Sequence, residues 1–238
     1  MNTAMQLDTT HLFAIAAALG WASGLRLYAV VFFTGMAGLL GWVPLPSGLQ
    51  VLQQPAVLWV SGALLMVEFV ADKVPWVDSL WDTVHTFIRI PAGAALAYSV
   101  FGVDQGTFAT VAALLGGTLA ATAHTAKATT RAAANTSPEP FSNIALSLAG
   151  DALVPGMLWL SWEHPVAFFF ALAGVVGVML VVTVLLFRFL RGLLGRLRGH
   201  FGATRQAISP RWAIRIFLNM TVSLEYGGRA GRSCPGAL

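Results

Sequence analysis

Charge is scarce in this sequence. Only 10% of its 238 residues are Asp, Glu, Lys or Arg, against roughly 25% in an average soluble domain. So few charges cannot cover a water-exposed surface, and 57% of the residues are hydrophobic. Cysteine is nearly absent, and the single Cys234 excludes both an internal disulfide and a Cys-based metal site. No Gly-rich nucleotide loop, His-Glu-x-x-His zinc motif or Gly-x-Ser-x-Gly nucleophile motif occurs, so the usual signatures of an enzyme are missing and no cofactor is expected. A basic N-terminal region is lacking too. The first ten residues hold Asp8 and no Lys or Arg, which argues for a first hydrophobic block retained as a helix rather than cleaved as a signal.

What the sequence does have is long apolar blocks. A hydrocarbon core about 30 Å thick needs roughly 20 apolar residues to cross it as a helix. Six blocks reach or approach that length, at residues 11–40, 55–71, 86–103, 107–124, 142–160 and 166–188. The expected fold is therefore an all-α integral membrane protein of about six transmembrane helices. The first block is long enough to tilt or break, with Gly20-Trp21-Ala22-Ser23-Gly24 as the expected weak point.

The formal charge of +4 is a matter of topology rather than of nucleic acid, because the basic residues do not gather on one polar domain. Eight of the fourteen Lys and Arg lie from Arg191 onward, with Arg188 just before them. Cytoplasmic loops carry the excess of Lys and Arg. Placing both termini on the cytoplasmic side of a bacterial inner membrane leaves the outer loops, 41–54, 104–106 and 161–165, without any Lys or Arg. Lys73, Arg89, Lys127, Arg131 and the arginine-rich tail then fall inside, and only Arg26, which lies within a span, is left over.

Two segments resist a simple division into spans and loops. Residues 74–89 put Val77, Leu80, Trp81, Val84 and Ile88 on one helical face and Asp78, Asp82, His85 and Arg89 on the other, the pattern of an amphipathic helix lying at the inner interface. From Gly116 to Thr130 the chain is rich in Ala and Gly, and Thr118, Thr122, Thr125 and Thr129 recur every three or four residues. Such a small-residue face favours close helix contact over the alternative of a wet cavity lining. Residues 1–200 thus read as the transmembrane domain, and 201–238 as a basic tail with little structure of its own.

Three spans on either side of residue 104 suggest a 3+3 inverted repeat with halves 10–103 and 107–188. Its local trace is an Asp shortly before a Pro in each half, Asp72 before Pro75 and Asp151 before Pro155.

The runs Ala22-Ser-Gly-Leu-Arg26-Leu-Tyr28, Ala71-Asp-Lys-Val-Pro75-Trp-Val-Asp78-Ser-Leu-Trp-Asp82, His85-Thr-Phe-Ile-Arg89-Ile-Pro-Ala-Gly93, Asn135-Thr-Ser-Pro-Glu139-Pro-Phe-Ser-Asn143 and Glu163-His164-Pro165 carry a resemblance. Over about residues 10 to 200 the chain resembles a family of small bacterial multispanning membrane proteins classified only as a domain of unknown function. The resemblance implies a membrane protein and no particular activity. Where that family tends to have a Glu-Asp pair in the fifth span, this chain has Gly150-Asp151, which weakens any role needing two carboxylates there.

Ionisable groups inside a membrane are costly and mark pathways by default. Arg26, Glu68, Asp72, Asp151 and His124 are therefore the candidate substrate or ion pathway, and Asp78, Asp82, His85, Arg89, Lys127 and Arg131 the candidate cytoplasmic mouth. Glu68 and Asp72, four residues apart, share a helical face and would raise each other's proton affinity. Asp78, Asp82 and His85 have a spacing that could present metal ligands, but Arg89 continues that face and repels a cation, so no metal site is expected. The expected function is a small transporter or channel for a polar solute or ion. The alternatives are a structural or assembly membrane protein whose buried charges pack helices, and an intramembrane enzyme using Asp72 or Asp151. The lipid bilayer is the one partner the composition demands. The solute and self-association are left open.

Overall fold

The computed structural model describes residues 7–72, 74–102, 105–134 and 141–207, with the side chains of 75, 76, 78, 79, 141–143, 193, 194 and 196–207 left out. Six long α-helices make up these residues: α1 (Thr9–Leu39), α2 (Pro55–Ala71), α3 (Pro75–Phe101), α4 (Gly106–Ala134), α5 (Phe141–Glu163) and α6 (Pro165–Ala207). No strand occurs among them. The chain forms two units, residues 1–187 and residues 188–238. In the second, the described part is the last stretch of α6, so helix continues past His200, where a tail was expected to begin. The rest of that expected tail, 208–238, lies outside the described residues.

In the first unit α1 is the hub, packing against α2, α3, α4 and α5. It begins at Asp8, whose carboxylate accepts the backbone N–H of His11 at 2.8 Å and caps the first turn. From Ala14 to Leu27 every residue is buried, because Ala and Gly dominate the stretch and let four neighbours approach at once. Gly20 lies against the backbone of Gly116 in α4, so close that a Cβ there would fall 2.3 Å from the Gly116 Cα. Gly24 stands in the same relation to the Ala120 carbonyl, at 2.2 Å. The small-residue face expected on α4 is real, but it consists of Gly116, Ala120 and Ala123. The threonines are not part of it: Thr118, Thr122, Thr125 and Thr129 each donate a hydrogen bond to the carbonyl four residues back, satisfying their hydroxyls without a partner helix.

The break in α1 falls at Arg26, whose backbone is non-helical (φ −148°, ψ 80°), rather than at the expected Gly20 to Gly24. Glycine freedom is not what breaks this helix. Both glycines are locked against α4, whereas next to Arg26 the Leu25 carbonyl accepts a hydrogen bond from Lys127 of α4, which helps to compensate for the interruption.

The segment expected to lie flat at the interface is instead the first half of α3, continuous from Pro75 to Phe101. Its helical periodicity is as read, but the polar face is turned the other way. Arg89 is fully buried and Phe87, two residues earlier, is 81% exposed. In a membrane the apolar face meets lipid and the charges go inside, the reverse of an interfacial helix. Asp78 and Lys73 lie outside the residues whose side chains are described.

Among the described residues, four helices are individually long and apolar enough to cross a membrane: α1, α4, α5 and α6. The 3-10 turn Ser47–Gln53 and α2 together make a fifth such segment, bent by 68°. α3 carries the charges that keep it below that standard, yet at 27 residues it has the length. The two Asp-Pro motifs sit in unlike places. Asp72 caps the end of α2 and Pro75 opens α3, whereas Asp151 and Pro155 are inside α5.

Candidate functional site

Arg26 is nearly fully buried at the break in α1, and its guanidinium reaches two other helices. Its Nη1 lies 2.8 Å from Asp72 Oδ2 and its Nε 2.9 Å from Asp151 Oδ1. Its Nη2 donates to the Ser147 hydroxyl at 2.9 Å and to the Ser147 carbonyl at 3.2 Å. A planar fork with five N–H groups can hold two carboxylates and a hydroxyl together, which an ammonium could not do in this geometry.

Asp72, at the end of α2, is the centre on which the other cations converge. Lys127 of α4 donates to its Oδ1 at 3.1 Å, lies 3.1 Å from Asp82 Oδ1, and donates at 3.4 Å to the carbonyl of Leu25, just before the break. Arg131, one turn further along α4, donates to the Asp72 backbone carbonyl at 2.6 Å and has Nη2 3.6 Å from its Oδ2. Beside this cluster, Arg89 is held between Glu68 and Asp82, with Nη1 donating to Asp82 at 2.7 Å. Glu68 and Arg89 are both fully buried. Glu68 and Asp72 share a helix face, but each is neutralised by its own cations rather than left to repel the other.

Four cations, Arg26, Arg89, Lys127 and Arg131, thus meet four carboxylates, Glu68, Asp72, Asp82 and Asp151, in one connected network. Its formal charge is balanced, as burial in a low-dielectric interior requires.

Two histidines flank the network. His85 stacks on Trp81 with ring centroids 4.1 Å apart, and its Nδ1 lies 2.8 Å from the Trp81 carbonyl, which can only accept. With the proton on Nδ1, Nε2 is free to accept the Tyr28 hydroxyl at 3.0 Å. His124 Nε2 lies 2.7 Å from the Thr86 hydroxyl, which itself donates to the Asp82 carbonyl.

A cavity of about 260 Å³ opens beside the break in α1. Arg26, Asp72, Lys127 and Arg131 form its polar side; Leu146 and Leu153 of α5 and Val178, Met179 and Val182 of α6 form its apolar side. Gly150 also lines it, and a Cβ there would stand 3.7 Å from Arg26 Nε. The glycine that replaces the expected glutamate therefore leaves room directly against the guanidinium. A second cavity of about 400 Å³ lies toward the other end of α1, among Phe33, Trp42, Trp159 and Trp162 with Glu163.

Pathway and mouth, read from sequence as separate sets, fall in one connected network. Arg26, Glu68, Asp72, Asp151, Asp82, Arg89, Lys127 and Arg131 are all members, and His85 and His124 adjoin it; only Asp78 lies outside the described side chains. Sequence reasoning missed Tyr28, Thr86 and Ser147. Ser147 was within reach, since it precedes Asp151 by one helical turn and so shares its face. Tyr28 and Thr86 carried no signal beyond proximity to Arg26 and His85.

Apolar helices that bury a balanced charge network define an all-α membrane protein with an intramembrane polar site. Within that class the chain belongs to the family described as a domain of unknown function, DUF4126, whose match covers residues 13–185. No curated protein and no solved structure matches the chain.

Proposed function

We propose that this protein is a small transporter for a polar solute or ion, spanning the inner membrane six times with both termini cytoplasmic. The observation that carries the reading is the coincidence of three features at Arg26: a broken helix, a cluster of buried charges and a cavity. Discontinuous helices whose exposed backbone and half-helix ends face a substrate are a recurring device of secondary transporters. A helix that only packed would gain nothing from the interruption. Glu68, Arg89 and Asp82 act differently in this reading. Buried and closely paired, they clamp α2 to α3 and hold the site in shape.

That clamp is also the observation favouring a second reading, in which the whole network only fixes helix packing. Water access separates the two. In a Cys234→Ser background, Ser147→Cys and Leu153→Cys should react with a membrane-impermeant thiol reagent supplied from the cytoplasmic side. Protection of both sites in a folded, membrane-inserted protein would leave packing as the function of the charges.

A further inference from the structure

The polar side of the cavity at the α1 break holds three cations around one carboxylate. Asp72 is approached by Arg26 at 2.8 Å, Lys127 at 3.1 Å and Arg131 at 3.6 Å. This is how a protein holds an oxyanion, from several directions and with a guanidinium fork. The carboxylate now in that place belongs to the residue capping α2, at its junction with α3, rather than to a helix interior. Opposite the cations, the wall is Leu146, Leu153, Val178, Met179 and Val182. A ligand meeting both sides must be charged at one end and apolar at the other.

We propose that this cavity binds a small amphiphilic anion, an oxyanion head with an apolar chain, and that Asp72 occupies the place of the head when the ligand is absent. An arriving oxyanion takes over the three cations, which stay compensated, and the displaced Asp72 carboxylate must reach water or take up a proton. A cationic ligand would face those three cations with no such exchange. The volume of about 260 Å³ lies just below the range of roughly 300–1,000 Å³ typical of sites for drug-sized molecules, so the chain is short. This deepens the transport reading and rests on it for what binding accomplishes, but the binding itself can be measured apart from flux.

The experiment is calorimetric titration of the full-length protein in a neutral detergent with octanoate, octyl phosphate, acetate and octyltrimethylammonium. Octanoate and octyl phosphate should bind saturably, acetate roughly tenfold or more weakly for want of a chain, and octyltrimethylammonium not at all. Asp72→Asn, which removes the competing carboxylate, should tighten octanoate binding by about tenfold. Val178→Trp, placed on the far wall away from every charge, should weaken octanoate by roughly tenfold and leave acetate unchanged, and it keeps the test decisive if Asp72→Asn fails to fold. Repeating the titration in nanodiscs of phosphatidylcholine and of phosphatidylglycerol distinguishes the ligand's source. Weaker octanoate binding in phosphatidylglycerol identifies the occupant as an anionic lipid, and equal binding as a free solute. Equal binding of octyltrimethylammonium, or octanoate binding indifferent to Val178→Trp, would overturn the proposal. Saturable octanoate binding without octanoate uptake into vesicles would keep the anion site and remove transport.

Discussion

Arg89 and Arg26 are both buried arginines, but the structure gives them different consequences when removed. Arg89 is enclosed by Glu68 and Asp82 and does not line the cavity at Arg26. Arg89→Met alone should lower stability by about 3–5 kcal/mol, because it strands buried carboxylates, and pairing it with Glu68→Gln should recover much of the loss. Thermal unfolding in detergent of the two single variants and the double variant measures this, and equal stability of all of them would remove the clamp. Arg26 borders open space, so its loss should act on function first. Arg26→Lys keeps the charge but loses the fork that holds Asp72, Asp151 and Ser147 together, and should impair transport of whichever solute is identified more than it lowers the melting temperature. At the start of α1 the Asp8 carboxyl is held below its usual range, chiefly by the His11 N–H it accepts. A carboxyl whose folded pKa is lowered contributes stability above the unfolded pKa and loses it as pH falls through the folded one. Hydrogen exchange at the His11 amide should accordingly accelerate under acid, and in Asp8→Ala it should be fast at every pH.

Between elements, the contact that matters most is that of α1 with α4 through Gly20, Gly24, Gly116 and Ala120. A methyl group at Gly24 would land on the Ala120 carbonyl, which is backbone and cannot rotate aside. Gly24→Ala should therefore destabilise by about 1–3 kcal/mol, as overpacking does. Gly177 in α6 has open space around it, and Gly177→Ala there should be neutral or gain about 0.5–1 kcal/mol from the better helix former. If both changes had the same effect on thermal stability, the close approach of α1 and α4 would be wrong. α3 provides a second test at this scale. A spin label at Phe87 should be reached by lipid-soluble oxygen and shielded from a water-soluble nickel chelate. The opposite result would return this segment to the interface.

Over the whole molecule, the distribution of Lys and Arg orients the bundle. Reporter fusions after Ser47 and after Glu163 should report outside, and a fusion after Arg198 inside. An outside signal at the last position would sink the six-span topology and reverse the face on which the Arg26 cavity opens.

Apolar length and charge placement are local properties, and they were enough to define an all-α membrane protein, the starts of five of its six long helices and every member of the buried charge network, but α3 begins well before residue 86 and α4 and α6 run well past 124 and 188. Arg26, Glu68 and Asp151 stand out in sequence because a charge inside an apolar run is costly wherever the helix lies. Which way a face turns is not local. The polar side of α3 could have met water or protein, and only Glu68 arriving from α2 and Lys127 from α4 drew Arg89 and Asp82 inward. The break in α1 was decided in the same way. Gly20 and Gly24 offered the flexibility, but α4 pressed against both, and the helix opened at Arg26, where Lys127 of α4 reaches the Leu25 carbonyl and the guanidinium meets carboxylates from α2 and α5.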